Sequence, residues 1–154
     1  MDWSTRAYVA AYFAVSDVLA GKIKSDTTQL AVWILDIEMK ALFPKLKVVK
    51  TPGGNNANLA AQSGLFTLLE QEGGRGRPFV GETALDLYFA TQTLPPPLKK
   101  ITLPISEARA VLDLCSLYGV TGATLFPDYY GATRASEDVL STTPPVGALS
   151  FWST

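Results

Sequence analysis

Hydrophobic and polar positions fall into short blocks whose period changes several times along the chain. Arg6-Ala7-Tyr8-Val9-Ala10-Ala11-Tyr12-Phe13-Ala14-Val15 is apolar on almost every helical face, which predicts a helix set inside a larger body. Tyr8, Tyr12, Phe13 and Val15 are more apolar surface than the remaining elements are expected to cover. Just before them, Asp2-Trp3-Ser4-Thr5 carries helix-start chemistry, with Ser4 or Thr5 expected to cap the free N–H groups of the first turn. Leu30-Ala31-Val32-Trp33-Ile34-Leu35 is a continuous apolar run closed by Asp36, and it predicts a buried strand. Residues 37–43 suit one or two helical turns, stopped by Pro44. Residues 45–50 alternate polar with apolar, as a short half-exposed strand or extended loop would.

The chain is organised around residues 57–69, delivered by Pro52-Gly53-Gly54-Asn55-Asn56. A helix-forming run, Leu59-Ala60-Ala61, meets Gln62 and the turn pair Ser63-Gly64 before a strand-like Leu65-Phe66-Thr67-Leu68-Leu69. Gln62 is an amide between apolar segments, and leaving it unsatisfied would cost about 1–3 kcal/mol. It either caps a turn by bonding backbone or lines a ligand pocket; the residues alone leave both open. Residues 70–78 read as a polar surface loop without phosphate-loop spacing. Residues 83–94 predict a helix ended by Pro95-Pro96-Pro97, and Lys100-Ile101-Thr102-Leu103-Pro104 a short strand. Ser106 and Glu107 open an amphipathic helix that Gly119 ends, with Cys115 as a small buried thiol. A tight return and a strand are expected over 120–127, a last helix from Asp128 to about Leu140, and a loosely held tail over 142–154. Short strands interleaved with helices predict an α+β domain, a mixed sheet with several helices packed on it.

Composition narrows the chemistry. The 154 residues suit one domain, and 47% hydrophobic against 18% charged residues argues for a packed core. A net charge of −1 gives no signal for nucleic-acid binding through excess basic charge. No apolar run approaches the roughly 18 residues of a membrane span, and the first residues lack a signal-peptide layout, so a cytoplasmic protein without a membrane partner is expected. One cysteine and no histidine exclude an intrachain disulfide framework and a cysteine zinc cluster. Acid–base chemistry would fall to carboxylates, Lys, Tyr or Cys115.

Four segments, in order, resemble the FRG domain of bacteria and phages. Asp2-Trp3-Ser4 with Ala11-Tyr12-Phe13-Ala14 resembles the family's D-W-[ST] and A-x-[YF]-F-A block, and Ala31-Val32-Trp33-Ile34-Leu35-Asp36 its next strand. Asn58-Leu59-Ala60-Ala61-Gln62-Ser63-Gly64-Leu65-Phe66-Thr67 is similar to its A-Q-x-G-x-F-T segment. Residues 100–104 with Leu125-Phe126-Pro127-Asp128 resemble its closing part. The F-R-G motif and the H-Y-G-L-P-T-R-L-L segment are missing, and Asn58 stands where many members carry Arg. The resemblance therefore implies the C-terminal portion of such a domain over 2–141, with an N-terminal half expected upstream.

A fainter resemblance links the order of elements to ADP-ribosyltransferases, with Ser4-Thr5 in the place of the hydroxyl motif and Gln62 in that of the key Glu. It implies an incomplete fold of that kind and a cleft shaped for NAD or another nucleotide, acting in a defence or toxin context. Any ADP-ribosyltransferase or NAD glycohydrolase activity would need the missing half. The implied cleft residues are Asp2, Trp3, Ser4, Gln62 and Phe66: Trp3 and Phe66 stacking a flat ring, Ser4 and Gln62 bonding it, Asp2 orienting them. The alternative is a non-catalytic interaction module whose apolar first helix meets a protein partner.

Overall fold

The computed structural model describes residues 2–22, 26–50, 56–70, 73, 76 and 83–142. Strand β1 (Asp2–Ser4), helix α1 (Ala7–Leu19), strands β2 (Gln29–Leu35) and β3 (Leu46–Val49), helix α2 (Ala57–Ala61) and strand β4 (Gly64–Leu69) make the first half. Helix α3 (Leu85–Ala90), strand β5 (Leu98–Pro104) and helices α4 (Ala108–Leu117), α5 (Gly122–Leu125) and α6 (Tyr129–Thr142) make the second. The class is α+β, as the interleaved periods imply. The strands form two small sheets rather than a single mixed one. β4 sits between β1 and β3, and among the described residues β2 pairs with β5 alone. Every described pairing is antiparallel, a geometry that needs no helical crossover between neighbours.

Helix α1 is apolar all round because it has two neighbours. Val9, Tyr12 and Val15, spaced three apart, are at most 1% exposed and pack with Leu112, Cys115, Val120 and Leu125 in the larger core. Its other side carries alanines and faces the sheets. The expectation that its large side chains would outrun their cover is thus corrected in part: Tyr12 and Val15 are fully covered, and Tyr8 stacks on Tyr118 with centroids 4.3 Å apart. Phe13 alone among them is exposed, at 39%. A smaller core gathers Phe43, Leu46, Leu85 and Phe89, with Trp3, Leu35 and Leu69 against it.

Two further expectations are corrected. Asp2-Trp3-Ser4 is an edge strand, paired Asp2 to Phe66, Trp3 to Leu65 and Ser4 to Gly64, and the N-cap of α1 is Arg6 without a side-chain bond. The Ser4 hydroxyl accepts the Arg6 N–H (3.1 Å), but as part of the strand-to-helix turn. Residues 122–125 are helical, not a strand. The Thr121 hydroxyl accepts the Thr124 N–H while the Thr124 hydroxyl accepts the Thr121 N–H, a reciprocal cap that winds a β-branched run into a helical turn. At the end of α4, Gly119 (φ +72°) lets its own N–H reach Ser116 C=O and the Val120 N–H reach Cys115 C=O, which seats Val120 in the core. Among the described residues no helix is long and apolar enough to cross a membrane. The expected tail beyond 142, residues 52–55 of the lead-in and most of the 70–78 loop lie outside the described residues.

Candidate binding cleft

A cleft in two lobes runs between β1 and β2 along the alanine side of α1. The first lobe, about 540 Å³, is bounded by Asp2, Trp3 and Ser4 of β1, Phe13 and Ala14 of α1, Ala31 and Trp33 of β2, and Gln62 with Phe126 at its end. The second, about 470 Å³, shares Trp3, Ser4, Ala10, Val32 and Trp33 and continues past Ile34, Leu35, Ile37 and Leu65. Ala7, Ala10 and Ala14 open the space, because a larger side chain at these α1 positions would fill it.

Gln62 joins the two readings the sequence left open. It ends α2, its side-chain amide donates to Leu125 C=O (3.2 Å), and it stands on the wall of the first lobe. Its own C=O accepts the Ser4 hydroxyl (2.8 Å), so residues 58 apart in the chain meet directly. Ser63 follows in the left-handed region (φ +50°), and Gly64 lies so close to Leu59 that an added Cβ would strike that side chain. This tight return aims Gln62 at the cleft and starts β4 beside β1. The indole N–H of Trp3 donates to the Thr67 hydroxyl (2.9 Å), which fixes one edge of its ring.

Of the five residues expected at a ligand site, four line the first lobe: Asp2, Trp3, Ser4 and Gln62. Phe66 lines neither lobe. Trp3 pairs with Leu65 and Asp2 with Phe66, so strand alternation sends Phe66 to the other face of the sheet. The expectation that Trp3 and Phe66 sandwich a ring together is corrected: the aromatic neighbours in the lobe are Trp33, Phe13 and Phe126. Phe13 and Phe126 meet edge to face at 6.0 Å. Trp33 escaped notice in the sequence because a continuous apolar run implies full burial; it is half-buried, since among the described residues β2 has a neighbour on one side only. The Lys100 ammonium, opposite it across the ladder, stands 5.2 Å from its ring centroid.

Asp2 is the one ionisable side chain lining either lobe among the described residues. Cys115 lies away from the cleft, buried beneath Tyr8, and burial pushes its thiol pKa up, as suits an inert structural thiol. No group of three or more metal-ligating side chains occurs among the described residues. Comparison with family models, with curated proteins and with solved structures returns no match to this chain.

Gln62→Ala should lower stability by about 0.5–1.5 kcal/mol, since Leu125 C=O loses a donor at a wall that water can reach. Gln62→Glu should cost more, because a carboxylate there faces a carbonyl oxygen. Urea unfolding of the two variants checks the order. Equal losses would mean that the amide does not hold Leu125.

Proposed function

We propose that this chain is a binding module whose cleft takes a planar nucleoside-type ring, NAD among the candidates, in the manner of a degenerate ADP-ribosyltransferase-like FRG domain. The observation that carries the reading is the convergence of Asp2, Trp3, Ser4 and Gln62, from two ends of a long sequence separation, on one aromatic-walled lobe. Trp3, Trp33, Phe13 and Phe126 offer faces and edges to a flat ring, while the Ser4 hydroxyl, Gln62 amide and Asp2 carboxylate offer polar contacts at its rim. Among the described residues neither Lys nor Arg lines either lobe, so in this reading base and sugar carry recognition and phosphates point to solvent.

The interaction reading asked for an open apolar α1. Val9, Tyr12 and Val15 are inside the core, which leaves Phe13 as the exposed large apolar side chain of that helix.

The test is thermal unfolding with adenosine, nicotinamide riboside, ADP and NAD. A ligand at a hundred times its dissociation constant should stabilise the fold by about 2.7 kcal/mol. Nucleosides and their phosphates should act alike, with little salt dependence, and Trp33→Ala should remove the shift while leaving cooperative unfolding. No shift with any of the four would overturn the reading.

A further inference from the structure

Among the described residues, both strands that border the cleft are hydrogen-bonded on one side only: β1 has β4 as its neighbour, and β2 has β5. In an antiparallel ladder alternate residues turn their backbone N–H and C=O toward the partner and away from it. The Ile105 N–H bonds Thr28 C=O (3.1 Å) and the Asp36 N–H bonds Pro97 C=O (2.8 Å), one at each end of the β2–β5 ladder. That phase turns Leu30, Val32 and Ile34 toward β5, and Gln29, Ala31, Trp33 and Leu35 away from it. By the same rule the Thr5 N–H to Ser63 C=O bond (3.3 Å) turns Trp3 toward β4, and Asp2 and Ser4 away.

Asp2, Ser4, Ala31, Trp33 and Leu35, five of the six residues whose backbone is turned outward, line the cleft, and Gln29 at the start of β2 does not. Their outward N–H and C=O groups have no protein partner among the described residues. The two edges also run the same way: Asp2 and Ala31 border the first lobe, Ser4 and Trp33 the junction, Thr5 and Leu35 the second. One extended segment, antiparallel to both, would satisfy both rows and join the two sheets in the order β3-β4-β1-segment-β2-β5.

Charge placement distinguishes these edges from the outer ones. The outer strands carry lysines, Lys47 on β3 and Lys99 and Lys100 on β5, which discourage further pairing. β2 has no charged residue from Gln29 to Leu35, and β1 contributes only Asp2.

We infer that the cleft receives an extended peptide strand from a protein partner, apolar at alternate positions and antiparallel to β1 and β2. A Lys or Arg near its C-terminal end meets Asp2. Backbone pairing supplies the affinity and the Trp3–Trp33 walls select the side chains. The inference goes beyond the ring-binding reading and stands without it. Strand and ring share Trp3 and Trp33, so one excludes the other.

The probe is an acetylated peptide of about seven residues, alternating Val and Thr with Lys next to last. Added in excess to the full chain, it should slow hydrogen exchange at the Asp2, Ser4, Ala31, Trp33 and Leu35 amides by about tenfold or more. The same peptide N-methylated on alternate amides should give no protection, and Asp2→Asn should weaken binding by about fivefold. Ala31→Pro, which removes one outward donor and no β5 bond, should weaken it further while unfolding stays cooperative.

Equal binding by the N-methylated peptide, or binding without protection of these five amides, would overturn the inference. So would protection that rises with protein concentration and no peptide, because the occupant would then be a second copy. Nucleoside stabilisation without peptide protection would also overturn it and leave the ring reading standing. Peptide protection without any nucleoside effect would support the strand and end the ring reading.

Discussion

Gly131→Ala should destabilise the protein by about 3 kcal/mol, seen as a lower urea midpoint at unchanged slope. Gly131 opens α6 where that helix presses on the end of α5. A Cβ there would coincide with the Phe126 carbonyl oxygen and come within 2.9 Å of Gly122 O. Backbone fills the space on both sides, so no side-chain rotation can relieve the overlap. Gly131 N–H also donates to the Asp128 carboxylate (3.0 Å), and Asp128 N–H to Phe126 C=O (2.8 Å), which fixes the entry to α6. Gly122 meets the reverse constraint, with Arg134 and Ala135 against its missing side chain. Gly21→Ala is the control: its φ is +68°, yet nothing lies within 4 Å, so strain alone should cost about 1 kcal/mol. If the two substitutions cost the same, α6 does not approach α5 through these glycines. Since Phe126 ends the first lobe of the cleft, Gly131→Ala should also weaken any ligand held there.

Asp138→Ala should cost roughly 2–4 kcal/mol, because its carboxylate serves two donors at the junction of α1, α5 and α6. The Tyr12 hydroxyl donates to it at 2.9 Å and the Gly122 N–H at 3.1 Å, and Tyr12 is fully buried. Close by, Arg134, 5% exposed, donates to the Ser16 hydroxyl (2.8 Å) and stands 3.7 Å from the Asp17 carboxylate. Its burial disfavours the charge, but the Tyr12 hydroxyl, Tyr130 and Asp17 outweigh that and hold its pKa above the usual value.

The same junction sets an alkaline limit. Burial first, then the bond to Asp138 and its charge, pushes the Tyr12 pKa well above the ordinary 10.0. Above about pH 10 the unfolded chain releases that proton and the folded one keeps it, so stability falls as pH rises. The contribution is whole below pH 10 and lost toward the folded pKa. Tyr12→Phe should flatten that alkaline fall while lowering stability at neutral pH. An unchanged pH profile in Tyr12→Phe would mean that another group sets the limit.

Much of the architecture was legible in the pattern of residues. The run from Leu30 to Leu35, the alternation after Lys45 and the amphipathic stretch closed by Gly119 appear as β2, β3 and α4, because period and breakers are local properties. The misreadings have a common cause. Asp2-Trp3-Ser4 can cap a helix or pair as a strand, and only β4, arriving from sixty residues away, decides for the strand. Residues 120–125 are β-branched and apolar enough for a strand, yet Thr121 and Thr124 cap each other and α6 closes on Gly122.

The candidate site divides in the same way. By itself the sequence determined that one residue was out of place, an amide at Gln62 between apolar runs, while Trp3 and Ser4 entered as site residues only through the family resemblance. Tertiary structure alone decided that Ser4 and Gln62 touch, that Phe66 turns away while Trp33 lines the lobe, and that β1 and β2 both border the cleft, each with an edge unpaired among the described residues. Residue identity records what a side chain can bond or bury. Which face of a strand it occupies, and whether that strand has a neighbour on both sides, depends on pairing partners distant in the chain, which no local pattern encodes.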